Sequence, residues 1–150
     1  MLHLRAPNPD ELDYLTALCL RSKAVWGYDA DFMEACRQEL TLTTADLLET
    51  RLQLAEDDAG VAALAQLSLQ GADAVLEKLF VEPARLRAGT GSLLFRWAAE
   101  TARSAGAARM SIDADPGAAA FYVRMGARPA GMVPSGSIPG RLLPRLILEF

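Results

Sequence analysis

Two hydrophobic periods divide the chain, and the change between them locates its elements. From residue 12 the apolar positions Leu12, Leu15 and Cys19 recur at helical spacing with Leu18 beside them, which predicts an amphipathic helix over 12–22. Pro7, Asn8, Pro9 and Asp10 precede it as a stop and capping region, and residues 2–5 before them are read as a short edge strand. Trp26-Gly27-Tyr28-Asp29 breaks the helix. Phe32, Cys36 and Leu40 form one stripe of a second helix, with Asp29 and Asp31 near its N-terminus, where the helix dipole favours an anion. Thr43 or Thr44 caps a further short helical turn that runs through Leu48.

Beyond residue 50 the period becomes two. Leu52 and Leu54 alternate with Arg51 and Gln53, Asp57-Asp58-Ala59-Gly60 is a turn, and 61–69 is the return strand of a hairpin. Gly71-Ala72-Asp73 turns the chain again into a strand over 75–81. A glycine-containing loop and a helix over 92–104 follow, then a strand over 110–113 and a helix opened by Pro116-Gly117 and ended by Gly126. The tail holds strand-like pieces at 132–133 and 146–150 around a Ser-Gly-Ser-Ile-Pro-Gly loop. The order is helices, a three-strand meander, then β-α-β-α-β, which predicts one α/β domain spanning residues 1–150.

Composition narrows the function classes. At 150 residues, 51% hydrophobic and 23% charged, the chain can close a core, and the pattern is not that of a disordered segment. A net charge of −4 with no basic run argues against nucleic acid as a partner. There is no apolar run long enough for a membrane span and no export signal, so a cytoplasmic protein is expected. Cys19 and Cys36 lack metal or redox spacing and read as buried free thiols, and His3 has no ligand partners nearby, so no metal is expected.

The chemistry concentrates in the loop from Val81 to Ser92. Gly89 and Gly91 allow a tight turn and close backbone approach to a ligand, and the free N–H groups of the following helix can hold an anion such as a pyrophosphate. Arg85 and Arg87 add positive charge at the same mouth, and Thr90 or Ser92 offers a hydroxyl. Leu94 stands where a dinucleotide fingerprint needs its third glycine, and no Gly-Lys-Ser/Thr follows the turn as a P-loop requires.

Leu79-Phe80-Val81-Glu82-Pro83 followed by Arg87-Ala88-Gly89-Thr90-Gly91 resembles the acyl-CoA-binding motif of the GNAT N-acetyltransferase superfamily. Asp115-Pro116-Gly117-Ala118 leading to Phe121-Tyr122-Val123-Arg124-Met125-Gly126 resembles that family's second signature. Two departures are Leu86, where the family usually has Arg or Gln, and Gly117, where an asparagine is common.

The resemblance implies an α/β (α+β) fold with a mixed central sheet flanked by helices, in which the strand at 75–81 splays from the one at 110–113. It implies acetyl-CoA as co-substrate, with Leu79, Phe80, Val81, Arg87, Ala88, Gly89, Thr90, Gly91 and Ser92 binding it. The N–H of Leu79 would polarise the thioester carbonyl and Tyr122 would protonate the departing sulfur. Glu77, on the same face of its strand as Leu79 because side chains alternate with period two, is a candidate base, and Asp113 a second. The acceptor, a primary amine of a small molecule or peptide, would meet Trp26, Tyr28, Ser135 and Arg141, with Ser137 beside them. A different expectation is a module that binds or senses acyl-CoA without turnover. The apolar run Leu142-Leu143 with Leu146-Ile147-Leu148 raises a further one, a homodimer through the C-terminal strands.

Overall fold

The polar residues that end one hydrophobic run and begin the next become helix caps in the computed structural model, which describes residues 1–150. Asp29 accepts the N–H of Phe32 at 2.8 Å and starts α2 (Ala30–Leu40). Thr43 and Asp46 exchange side-chain-to-backbone bonds and start α3 (Thr44–Glu49). A turn of 3-10 helix, Pro9–Glu11, leads into α1 (Leu12–Ala24). Its Glu11 accepts the N–H of Asn8 and two bonds from Arg5, at 2.8 and 2.7 Å. Arg5 also reaches Glu56, so it ties the first strand, β1 (His3–Arg5), to the helix entry and to β2 (Arg51–Asp57).

The Arg5 bond holds the Glu11 carboxyl down at about 2, from an ordinary 4.5. A depressed carboxylate stabilises the fold fully above its unfolded value and loses that contribution as pH falls through the folded one. Glu11→Gln is therefore expected to cost about 1–2 kcal/mol near neutral pH. In urea unfolding at several pH values, that difference should shrink below pH 4.5 and vanish only below pH 2.

The meander runs through β2, β3 (Gly60–Gln70) and β4 (Asp73–Val81), all antiparallel. Odd-numbered β3 residues Ala63, Ala65 and Leu67 pack under α4 (Thr90–Ser104) with Leu94, Phe95 and Ala98. Leu64 faces the other way, among Leu15 and Cys19 of α1 and Cys36 and Leu40 of α2. Both faces of β3 are thus covered, which is why 61–69 is an almost unbroken apolar run. Both cysteines are buried and free, and burial pushes the Cys19 thiol up to about 12.

The sheet order is β1-β2-β3-β4-β5-β7-β6, with β5 at Arg109–Asp113, β6 at Arg128–Pro134 and β7 at Leu142–Glu149. Only β4 and β5 are parallel. Here the structure refines the sequence order, since the last two strands form an antiparallel hairpin and the later one takes the inner place. Leu146 of β7 is buried and Leu148 packs against the same core, so this strand needs cover on both edges. β6 carries Pro129 and Pro134, which suit an edge where fewer ladder bonds are made. No helix is long and apolar enough to cross a membrane.

Two features of β4 create the cleft. It pairs with β5 only at Asp73, Ala74 and Val75, and beyond that point the two strands diverge. Its pairing with β3 shifts register between Lys78, opposite Gln66, and Leu76, opposite Leu67, so Glu77 is the extra residue of a β-bulge. Leu76, Leu79 and Val81 consequently all pack on the α4 side, while Phe80 joins the α1–α2 side.

Candidate active site

The gap between β4 and β5 opens into a cleft of about 770 Å³ lined by residues 76–81 on one wall and 112–115 on the other. Hydrogen-bonded and open pairs alternate along an antiparallel ladder. The bond from the Glu82 N–H to the Ala62 carbonyl therefore puts Phe80 and Lys78 in bonded pairs with β3. The backbone N–H and C=O of Leu79 and Val81 are left directed toward the gap, free to pair with an extended ligand as a neighbouring strand would.

At one end of the cleft lies the glycine loop. Pro83–Arg85 is a turn of 3-10 helix, and α4 begins at Thr90, two residues earlier than the sequence pattern suggested. Gly89 caps it with φ of +81°, a conformation that glycine adopts freely, and Arg87 holds the strained φ of +66°. Arg85 lines the cleft but is paired with Asp57, which leaves Arg87 as the loop's unpaired cation. Phe121 packs against Gly91, which brings the two sequence motifs into contact. The Thr90 hydroxyl is buried on the first turn of α4 and has no hydrogen-bond partner within the protein. An orphaned buried donor beside the open amides of a helix start is what a phosphate-bearing ligand would satisfy. Leu79, Phe80, Val81, Arg87, Gly89, Gly91 and Ser92 line the same cleft, whereas Ala88 does not.

In the middle stands Tyr122 on α5 (Ala119–Arg124), which follows the 3-10 turn Pro116–Ala118. Its ring sits 5.9 Å from that of Phe95 and 5.1 Å from that of Phe121, and burial alone pushes its phenol above the ordinary range. The hydroxyl therefore stays protonated at neutral pH. Glu77 also lines the cleft and accepts a bond from the Ser68 hydroxyl at 3.1 Å. The bulge corrects one expectation: Glu77 and Leu79 do not share a sheet face, because the extra residue reverses the alternation. Asp113 is clasped by Arg145 through bonds of 2.7 and 3.0 Å.

The far end is polar. Asp115 accepts the Tyr28 hydroxyl at 2.6 Å and the Gly117 N–H at 3.0 Å, and lies 3.5 Å from both Lys23 and Arg141. Burial would raise the Asp115 carboxyl, but these bonds and the two cations outweigh it and hold it below the usual range. Burial and the bond to Asp115 raise the Tyr28 phenol. Tyr28 stacks on Phe32 with ring centres 3.9 Å apart, behind the cleft wall rather than in it. Trp26 lines the cleft and lies flat on Gly117, where an added Cβ would fall 2.7 Å from its ring. Gly117→Ala should displace this indole and shift its fluorescence to the red. Stability should change by less than about 1 kcal/mol, because the ring is half exposed.

The GNAT acetyltransferase family model matches residues 20–127, most of the chain. The chain belongs to that family. No protein with a curated description matches it by sequence. Among solved structures, a GCN5-related N-acetyltransferase from Rhodopseudomonas palustris superposes with a TM-score of 0.83 at 21% identity, over 99% of this chain and 95% of that one. The PaiA N-acetyltransferase from Thermoplasma acidophilum, solved with coenzyme A, gives 0.79 at 14% identity, over 100% and 99%. A GNAT acetyltransferase from Brucella melitensis, solved with acetyl-CoA, gives 0.68 at 22%, over 100% and 88%.

Membership of the GNAT family puts the departures in physical terms. The asparagine common in the second signature has no room at position 117 while Trp26 covers it. The matched region ends at Ala127, so the loop carrying Ser135 and Arg141 lies outside what this GNAT chain shares with the family model. Ser135, Ser137 and Arg141 border a small side recess together with Lys23 and Glu39. Glu39 and Asp115 did not stand out as site residues in the sequence, whereas Lys23 stands out there as the cation beside Trp26 and Tyr28. Glu39 is an ordinary charge on a helix, and only the Asp-Pro-Gly turn marked Asp115 as more than a surface acid.

Proposed function

We propose that the chain transfers the acetyl group of acetyl-CoA to a primary amine of a small molecule or peptide, by direct attack in a ternary complex. The observation that carries this reading is the unpartnered Thr90 hydroxyl at the start of α4, in the same cleft as the protonated, unbonded phenol of Tyr122. The CoA and acetyl-CoA complexes of similarly folded proteins support it.

Acetyl-CoA supplies the acyl group as an activated thioester. The first-turn amides of α4, with Thr90, Ser92 and Arg87, would hold its pyrophosphate. The gap-facing backbone of Leu79 and Val81 would pair with its pantetheine arm, and the Leu79 N–H would draw charge from the carbonyl. Glu77 would take the proton of the incoming ammonium, directly or through water, since Asp113 is occupied by Arg145. As the nitrogen–carbon bond forms and the carbon–sulfur bond breaks, Tyr122 would give its proton to sulfur, and the surplus proton of the acylated nitrogen would return to the tyrosinate through water, leaving the neutral amide and the CoA thiol.

The test is thermal unfolding with saturating acetyl-CoA, CoA, NAD and ATP in separate samples. A ligand at about 100 times its dissociation constant stabilises the fold by about 2.7 kcal/mol. Stabilisation by acetyl-CoA and CoA alone is expected, and no response to either would remove the reading.

A further inference from the structure

A side recess of about 30 Å³ opens beside the acceptor end of the cleft and shares Lys23, Glu39, Leu40 and Leu143 with it. That is room for about two water-sized groups, which suits a single small polar group. The hydrogen-bonding capacity left over in its walls is mainly that of donors, with Glu39 and the Ser137 oxygen as the remaining side-chain acceptors. Arg141 spends only Nη2, on the Tyr28 hydroxyl at 2.5 Å and on Asp115, and its Nε and Nη1 have no protein acceptor. Lys23 has no partner nearer than Asp115 at 3.5 Å. Both side chains are largely buried, at 17% and 14% exposure, so bulk water solvates these donors poorly. The Ser135 oxygen accepts the N–H groups of Ser137 and Ile138, which leaves its own O–H to donate.

Of the acids nearby, Asp115 has both oxygens committed and Glu39 has one. Asp115 uses one oxygen on Gly117 and the other on Tyr28. Glu39 is exposed at the rim and bonded to the Ser137 hydroxyl. Arg141 is also held in orientation, since its guanidinium lies 5.0 and 4.9 Å from the Tyr28 and Phe32 ring centres. Its unspent Nε and Nη1 lie on opposite edges of that fixed plane, so Arg141 offers a carboxylate a single directed N–H, with Lys23 and the Ser135 O–H as the further donors of the recess.

We propose that this recess receives the carboxylate of the acceptor, and that the acceptor is therefore an amine of the amino-acid class. The proposal rests on the acetyl-transfer reading and adds a substrate class to it.

The experiment compares acceptors in matched pairs. Each common L-amino acid is assayed beside its primary amide, together with a panel of amines lacking any carboxylate, and thiol release from acetyl-CoA is followed. The best acceptor should be an acid preferred over its amide by about tenfold or more in kcat/KM. Arg141→Gln should bring that ratio close to one, mainly through KM, and Arg141→Lys should restore part of it. CoA-induced thermal stabilisation shows that each variant is folded and still binds its co-substrate. A preference for amides or carboxylate-free amines overturns the recess assignment while acetyl transfer stands, and so does an acid-to-amide ratio that Arg141→Gln leaves unchanged. Absence of thiol release with every amine overturns both.

Discussion

Replacing Tyr122 by Phe is expected to lower kcat by about 10²- to 10⁴-fold, the usual contribution of a positioned general acid. The substitution removes one oxygen and nothing else. Because that hydroxyl has no protein hydrogen bond, thermal stability and CoA affinity should hardly change. kcat and kcat/KM should fall together, the signature of an interaction made only in the transition state. The pH profile gives a second check. Burial raises the phenol above its ordinary value of 10, so the wild-type enzyme should keep its acid through pH 9 and lose no activity there to tyrosine ionisation. Full activity in the Phe variant would make Tyr122 a core aromatic, packed against Phe95 and Phe121 for stability alone.

Thr90→Val should separate stability from binding. In the free protein the hydroxyl is buried without a partner, an arrangement that costs about 1–3 kcal/mol. Removing it should leave the unfolding free energy unchanged or raise it. Binding should move the other way, since a hydrogen bond to a charged group contributes about 1.5–3 kcal/mol, equivalent to roughly a ten- to hundredfold loss of CoA affinity. Urea unfolding of the free protein and calorimetric titration with CoA measure the two quantities independently. A destabilised variant with unchanged CoA affinity would assign Thr90 to the core instead of the ligand.

What the sequence disclosed follows from the range of the interactions involved. Caps at Asp29 and Thr43, the turns at Gly60 and Gly71, and the helical stripe of Leu15 and Cys19 are local, so their residues announce them. The bulge at Glu77 is set by register against β3 and carries no glycine or proline to signal it. It went unread, and with it the reversed face of Glu77. The place of β7 between β5 and β6 depends on where Leu146 finds cover, a question of tertiary packing that alternation along one strand does not address.

The candidate site divides the same way. The glycine loop and the Phe121-Tyr122 pair were legible as motifs, and the structure brings them into contact through Gly91. Trp26 was readable as an aromatic in a loop, but its contact with Gly117 joins residues far apart in the chain. The polar cluster at the acceptor end assembles from Lys23, Tyr28, Asp115 and Arg141, which meet only when α1, the turn after β5 and the loop before β7 converge.

The most direct test of acetyl transfer is thiol release from acetyl-CoA in the presence of a broad set of primary amines, with the acetylated product identified by mass spectrometry. The account predicts release that depends on the amine, saturates with it, and is matched mole for mole by N-acetylated product. CoA binding without release above the amine-free background for any acceptor would contradict it, and would leave the cleft as a site that holds the thioester without using it.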